Sequence, residues 1–172
     1  HAAGLTGQLL SFSRKQSAVL AAIDIHHTLS STVGLLGNTI DRRIEIKMDL
    51  AAGSSHVVGD WSLLESAFLN LGINASHAMP EGGVFAVSTT VVELDAEFCE
   101  SCSFDIEAAA YLEILFTDSG VGIEASNISR IFDPFFTTKE QGKGTGLGLS
   151  AVFGTVQQHS GAIFVSSEEG VG

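Results

Sequence analysis

The chain predicts an α+β sandwich with a mostly antiparallel sheet, and three observations carry that prediction. Ile44, Ile46, Met48 and Leu50 alternate with Glu45, Lys47 and Asp49, the period of a strand with one wet face. Residues 84–92 and 111–117 read as two long strands separated by an acidic loop. Helical patterns stand apart from these strands, after Asp24, after Asp60 and from Gly146. Hairpin-like strands beside separate helices define the α+β class.

The elements follow in order. Leu5, Leu9 and Phe12 sit at helical spacing in a short N-terminal stripe, which reads as a core-packing terminal helix. Asp24 caps a helix to about Ile40, with Leu29, Val33, Leu36 and Ile40 on its inner face. The alternating strand 44–50 comes next, and Val57-Val58 suggests a short one. Asp60 caps a helix that Pro80 and Gly82-Gly83 terminate, with Leu64, Phe68, Leu71 and Ala75 facing the sheet. The two long strands follow. A last helix covers about 146–158, with Leu149, Val152, Phe153 and Val156 apolar, and a last strand covers about 162–167.

Composition narrows the function classes. The chain has 172 residues, enough for one domain with a real core and a short appendage. A 45% hydrophobic content excludes a disordered chain. The net charge of −12 argues against a nucleic-acid groove, so no nucleic-acid partner is expected. No apolar run approaches membrane-spanning length. The chain begins at His1 without a signal-peptide pattern, so it reads as an excised fragment. Cys99 and Cys102 form one CxxC without the second pair that zinc would need. They read as two reduced thiols in a solvated loop.

Four stretches carry chemistry. Asn70, Asn74 and His77 fall at i, i+4 and i+7 on a stripe separate from the apolar one. Carboxamide oxygens suit Mg²⁺, although two helical asparagines are also compatible with plain solvation. Leu112, Ile114 and Phe116 alternate on a strand ending at Asp118, whose carboxylate can accept from the exocyclic amine of adenine. Gly120 and Gly122 let backbone approach a base closely. Phe132, Phe135 and Phe136 crowd a segment without a strand or helix period, either a buried plug or the residues that dock a lid. Gly142, Gly144, Gly146 and Gly148 then open the last helix, and a glycine turn at a helix N-terminus suits phosphate. The spacing is neither a Rossmann fingerprint nor a P-loop. Arg130, Lys139 and Lys143 bracket the lid among only eight basic residues, and neither lysine has a strong local partner in sequence.

In this order, over about residues 60–170, the blocks resemble the ATP-binding domain of sensor histidine kinases. That domain has the Bergerat (GHKL) fold, a mixed, mostly antiparallel sheet with helices packed on one face. The resemblance implies an N box in which Asn74 ligates Mg²⁺, with Asn70 and Lys139 beside it in the transfer step. Related ATPases carry a glutamate general base at the place of Asn70, and Asn cannot take a proton from water near neutral pH. This disfavours a free-standing ATPase. His77 stands where many members have a basic phosphate contact, and a surface histidine remains the other reading.

By the same resemblance Asp118 reads adenine, Gly120 and Gly122 shape the G1 box, and Ile123 lies beside the base. Lys139 lies close to the phosphates. Gly142, Lys143, Gly144, Thr145, Gly146, Leu147, Gly148 and Leu149 form the G2 box around the triphosphate. Residues 1–17 resemble the end of a dimerisation helix, and 18–172 the catalytic domain. The last strand is expected to lack its hairpin partner. No phosphoacceptor motif surrounds His1, His26 or His27, so the acceptor is expected on a separate dimerisation domain. The implied ligands are ATP or ADP and Mg²⁺. The implied partners are that domain, a response-regulator receiver domain and a second copy in a full-length homodimer, all in the cytoplasm, with the parent either membrane-anchored or not. A nucleotide-responsive binding module without phosphotransfer is the alternative.

Overall fold

A computed structural model describes residues 20–139 and 144–172. The expected helix with Leu5, Leu9 and Phe12, and the positions Gly142 and Lys143, lie outside the described residues. The elements are β1 (Ala21–Asp24), α1 (Ile25–Gly37), β2 (Ile44–Leu50), β3 (His56–Gly59), α2 (Trp61–Ala78), β4 (Gly83–Leu94), α3 (Ala96–Ser101), β5 (Ala109–Asp118), α4 (Ala125–Ile128) and α5 (Gly148–Gln158).

Strands β2, β4 and β5 form a mixed sheet in that order. The β2–β4 pair is parallel, from Ile44 opposite Gly83 to Leu50 opposite Thr89. Parallel neighbours need a crossover, and the segment holding β3 and α2 supplies it. The β4–β5 pair is antiparallel, from Phe85 opposite Asp118 to Leu94 opposite Ala109. Strand β1, which the sequence did not suggest, pairs antiparallel with β3 in a separate ribbon.

One face of the mixed sheet carries the helices. Ile44, Phe85 and Val87 pack with Leu29 and Leu36 of α1 and with Leu64, Phe68 and Ala75 of α2. The Phe116 ring lies 5.6 Å from Phe68 and 6.1 Å from Phe85. On the opposite face Glu45, Lys47 and Leu115 are exposed.

Both long helices start as expected. The Asp24 carboxylate accepts from the N–H groups of His26 and His27, and Asp60 accepts from Ser62 and Leu63. Such a cap contributes about 1 kcal/mol, whereas burying one large apolar side chain contributes about 1.5–3 kcal/mol, so packing decides where each helix lies. On α1 the inner face differs from the expected one. Ile25, Thr28, Leu29, Thr32 and Leu36 are buried, Val33 is half-buried, and Ile40 lies past the helix end. The threonines tolerate burial because Thr28 donates to the Asp24 carbonyl at 3.0 Å and Thr32 to the Thr28 carbonyl at 2.8 Å. On α2, Leu64, Phe68 and Ala75 are buried as expected, but Leu71 is only half-buried and Gly72 takes its place. A Cβ on Gly72 would collide with the Leu36 side chain, so this glycine lets α1 and α2 close on each other.

Two further expectations need correction. The acidic loop contains helix α3, capped by Asp95 through the Phe98 N–H at 2.8 Å. Cys99 on its last turn and Cys102 at its C-cap are free and half-buried. Burial, Cys102 and Asp95 push the Cys99 thiol upward, which disfavours the reactive thiolate. Residues 162–167 join no ladder. Alternation supplies a shape, but a strand also needs a partner for its backbone. This segment instead presents the Ser167 hydroxyl and Phe164 to its neighbours.

Candidate nucleotide site

The floor of the site is the contact between α2 and α5. Asn70 and Asn74 are half-buried. A Cβ on Gly148 would lie 3.6 Å from Asn70 Oδ1 and 3.7 Å from Asn74 Nδ2, so both carboxamides face the first residue of α5. No side chain caps that helix. The first N–H groups of a helix have no partner within it and carry the positive end of its dipole. The Leu147 N–H reaches Thr145 Oγ1 at 3.4 Å, and the first full helical bond runs from the Ala151 N–H to the Leu147 carbonyl. The buried Ser150, Val152 and Thr155 hold this helix in place, while Leu147, Gly148 and Leu149 are half-buried at its open end.

One edge of the floor is the turn after β5. Asp118 is half-buried, and its Oδ1 accepts from the Gly120 N–H at 2.9 Å. A Cβ on Gly120 would meet Ala78 at 2.7 Å, and the Val121 N–H donates to the Ala78 carbonyl at 3.0 Å. The turn is thereby pinned to the C-terminal end of α2, bringing the Asp118 turn to the helix that carries the asparagines. Gly122 has φ +70°, a region open to glycine. The Ile123 N–H donates to Ser167 Oγ at 2.8 Å.

The opposite edge is the segment from Phe132. Its three phenylalanines do not form a buried plug. Phe132 packs on Phe153 of α5 with centroids 5.3 Å apart, Phe136 lies under the Arg130 guanidinium at 4.6 Å, and Phe135 is 64% exposed. Phe135 has φ +68° and donates its N–H to the Gly146 carbonyl at 2.9 Å. Gly146 has φ +66°, and a Cβ there would run into the Phe135 backbone. Lys139, which has no strong local partner in sequence, finds one far along the chain. Its Nζ lies 2.7 Å from Nδ1 of His77. Burial pulls the Lys139 ammonium below its ordinary range, and burial followed by Lys139 pulls the His77 imidazole down. Gly144 sits beside Thr137 and Lys139.

An uncapped glycine-bearing helix start, two facing carboxamides, a strand-end carboxylate and an overlying lysine thus meet on one side of α2. Residues 59–172 match the family described as histidine kinase-, DNA gyrase B- and HSP90-like ATPase. The chain belongs to this ATPase family. It is 40% identical over 171 residues to the sensor kinase CckA of Brucella abortus (strain 2308), covering 99% of this chain and 18% of that protein. It is 32% identical to the sensor histidine kinase ZraS of Escherichia coli (strain K12), covering 98% of this chain and 32% of that one. The chain therefore spans less than a third of the length of these relatives. Among solved structures, the mycobacterial sensor histidine kinase MprB aligns over 84% of this chain and 83% of its own, with TM-score 0.62 and 26% identity. Full-length ShkA in complex with AMPPNP shares the fold over 98% of this chain and 33% of its own, with TM-score 0.74 and 24% identity.

For an ATPase-family domain the donor set fits a magnesium nucleotide. Among the described residues no group of three or more His, Cys, Asp or Glu could hold a metal alone. Mg²⁺ is commonly held by few protein oxygens, with phosphates and waters completing its shell, and the Asn74 carboxamide can supply one such oxygen. Bound there, the ion would neutralise phosphate charge. No helix among the described residues is long and apolar enough to cross a membrane.

One contributor escaped the sequence reading. His159, just past α5, accepts the Asp60 N–H at Nε2 (2.9 Å), and its Nδ1 lies 2.7 Å from the Thr155 carbonyl. A backbone N–H can only donate and a carbonyl can only accept. The ring is therefore the Nδ1–H tautomer. A Cβ on Gly59 would strike this ring, so Gly59 is part of the same joint. His159 ties the C-terminal end of α5 to the N-terminal end of α2, while Gly148 and the asparagines meet at the other end. A lone histidine after a helix carries no local signal of this role.

Proposed function

We propose that this domain binds Mg²⁺-ATP and donates the γ-phosphate to a histidine on a separate dimerisation domain, from which it passes to a response-regulator aspartate. The observation that carries the reading is the pair of α2 carboxamides facing the uncapped, glycine-started N-terminus of α5. In this reading Asp118 accepts from the adenine amine, with Gly120, Gly122 and Ile123 beside the base. The backbone from Gly144 to Leu149, Thr145 included, holds the phosphates, with Gly142 and Lys143 as further contacts. Asn74 supplies an oxygen to Mg²⁺, and Lys139 with His77 faces the phosphate end. Asn70 cannot act as a general base for water, so the site favours transfer to a side chain over hydrolysis. Catalysis is then positioning and charge neutralisation.

Calorimetry with ATP and GTP, with and without Mg²⁺, tests the binding half. ATP is expected to bind in a Mg²⁺-dependent manner and more tightly than GTP, and Asn74→Ala is expected to remove the metal-dependent part. Equal affinity for GTP would sink the role of Asp118. A phosphotransfer assay with the dimerisation helices present tests the second half. The second reading, a nucleotide-responsive module without transfer, is favoured by a His77 held neutral against Lys139. It predicts binding without labelled histidine.

A further inference from the structure

His77 and Lys139 lie 62 positions apart and meet at the C-terminal end of α2. Their chemistry fixes how protons sit between them. A lysine ammonium only donates, so His77 Nδ1 must be the acceptor and the ring must be neutral. Protonating Nδ1 would set two cations 2.7 Å apart. Resting on the nucleotide-binding reading above, we propose that polyphosphate binding takes up a proton at His77, so that the affinity of the site for adenine nucleotides falls as pH rises.

Polyphosphate binding would change the sign of the local field at His77. Among the described residues Lys139 is the charged group that bears on the ring, and burial is the other influence. Both disfavour the imidazolium in the free protein. Neither carboxylate near this end of α2 bears on the ring. Asp118 accepts from the Gly120 N–H, and Glu81 lies 3.7 Å from Arg43. A polyphosphate beside Lys139 supplies an acceptor for the ammonium and several negative charges near the ring. It releases His77 from accepting and makes its charged form favourable.

The bound-state pKa lies above the free-state pKa, so between the two the complex holds more protons than its parts. Affinity is full below the free-state pKa and is lost as pH rises through the bound-state pKa. One proton limits the slope to about tenfold per pH unit. The free-state pKa lies below that of an ordinary histidine, so the window opens below the ordinary value and runs up to the bound-state pKa. A lysine or arginine at position 77 would be charged in both states and would give no linkage.

The test is calorimetric titration of the protein with ADP and with a non-hydrolysable ATP analogue near pH 7, in buffers of different ionisation enthalpy such as PIPES and Tris. The dependence of observed enthalpy on buffer gives the protons exchanged. His77→Gln and His77→Lys are the comparison variants, and His77 is not among the core residues, so neither threatens the core. Protonation of the nucleotide itself is common to all three proteins and subtracts. The expected result is fractional proton uptake in the parent, absent from both variants. His77→Lys should keep its affinity between pH 7 and 8 while the parent loses up to tenfold. Nucleotide binding with no proton exchanged, or with the same uptake in His77→Gln, overturns the inference and leaves the ATP reading standing. A protein that binds no adenine nucleotide overturns both.

Discussion

The floor and the lid of this site are built by different physics. The floor is two helices tied at both ends, by Gly148 against the asparagines and by His159 against Asp60. Leu64, Phe68 and Ala75 bury it against the sheet, and Leu36 fills the notch at Gly72. The lid, in its described part, leans on fewer attachments. These are Phe132 on Phe153, Phe136 under Arg130, the Phe135 N–H on the Gly146 carbonyl, and Lys139 on His77. Burial of apolar side chains supplies most of the stability of a domain, whereas one exposed hydrogen bond contributes about 0.5–1.5 kcal/mol. A binding site can therefore keep rigid donors on one side and let the other side answer to the ligand.

Substitutions at two glycines separate these halves most sharply. Gly72→Val forces a branched side chain into Leu36, which is 1% exposed and has no room to yield. Overpacking of this kind costs about 1–3 kcal/mol, so the urea midpoint should fall clearly. Gly146→Ala places a Cβ at φ +66° against the Phe135 backbone. A left-handed alanine costs about 1–2 kcal/mol, and the strain sits where the lid joins the phosphate turn. Nucleotide affinity should drop about tenfold or more with little change in the urea midpoint. If both variants lost global stability equally, floor and lid would be one unit.

Much of the floor was legible because its signals are local. Asp60 as cap, the period of Leu64, Phe68 and Ala75, and Gly82-Gly83 as terminator all lie within one stretch of chain. The strands β4 and β5 were legible for the same reason, as were the two asparagines one turn apart. What escaped depends on distant partners. Strand β1 is four residues long with two alanines, and it is a strand only because β3 lies beside it. Lys139 meets His77 across 62 positions and His159 meets Asp60 across 99, and no local period encodes either. Residues 162–167 show the converse, since their pattern suggested a strand that no ladder completes.

Smaller effects refine the comparison. His159→Gln removes a two-sided joint and leaves the Asp60 N–H without its ring acceptor, so the floor should lose about 1–2 kcal/mol. Nitrogen chemical shifts of His159 in the parent should report a protonated Nδ1 and a bare Nε2. A ring protonated at Nε2 would contradict the joint. The smallest change is one of dynamics. Amide exchange over residues 132–145 should slow more with a non-hydrolysable ATP analogue than with ADP, because the γ-phosphate adds charge near Lys139. The interior of α2 should respond to neither. Equal protection of 132–145 in the free, ADP and analogue states would remove the lid from the binding step.

The contact of Gly148 with Asn70 and Asn74 joins the last helix to one made much earlier. During synthesis, β2, α2, β4 and β5 all leave the ribosome before α5 does. The strands of the sheet and the turn at Asp118 are thus all made before the helix start proposed here to hold phosphate. If the site holds a nucleotide as proposed, only a chain translated beyond α5 can grip a triphosphate between the two helices. Nucleotide capture is then a mark of a finished domain, and a truncated product carrying both asparagines would remain without it.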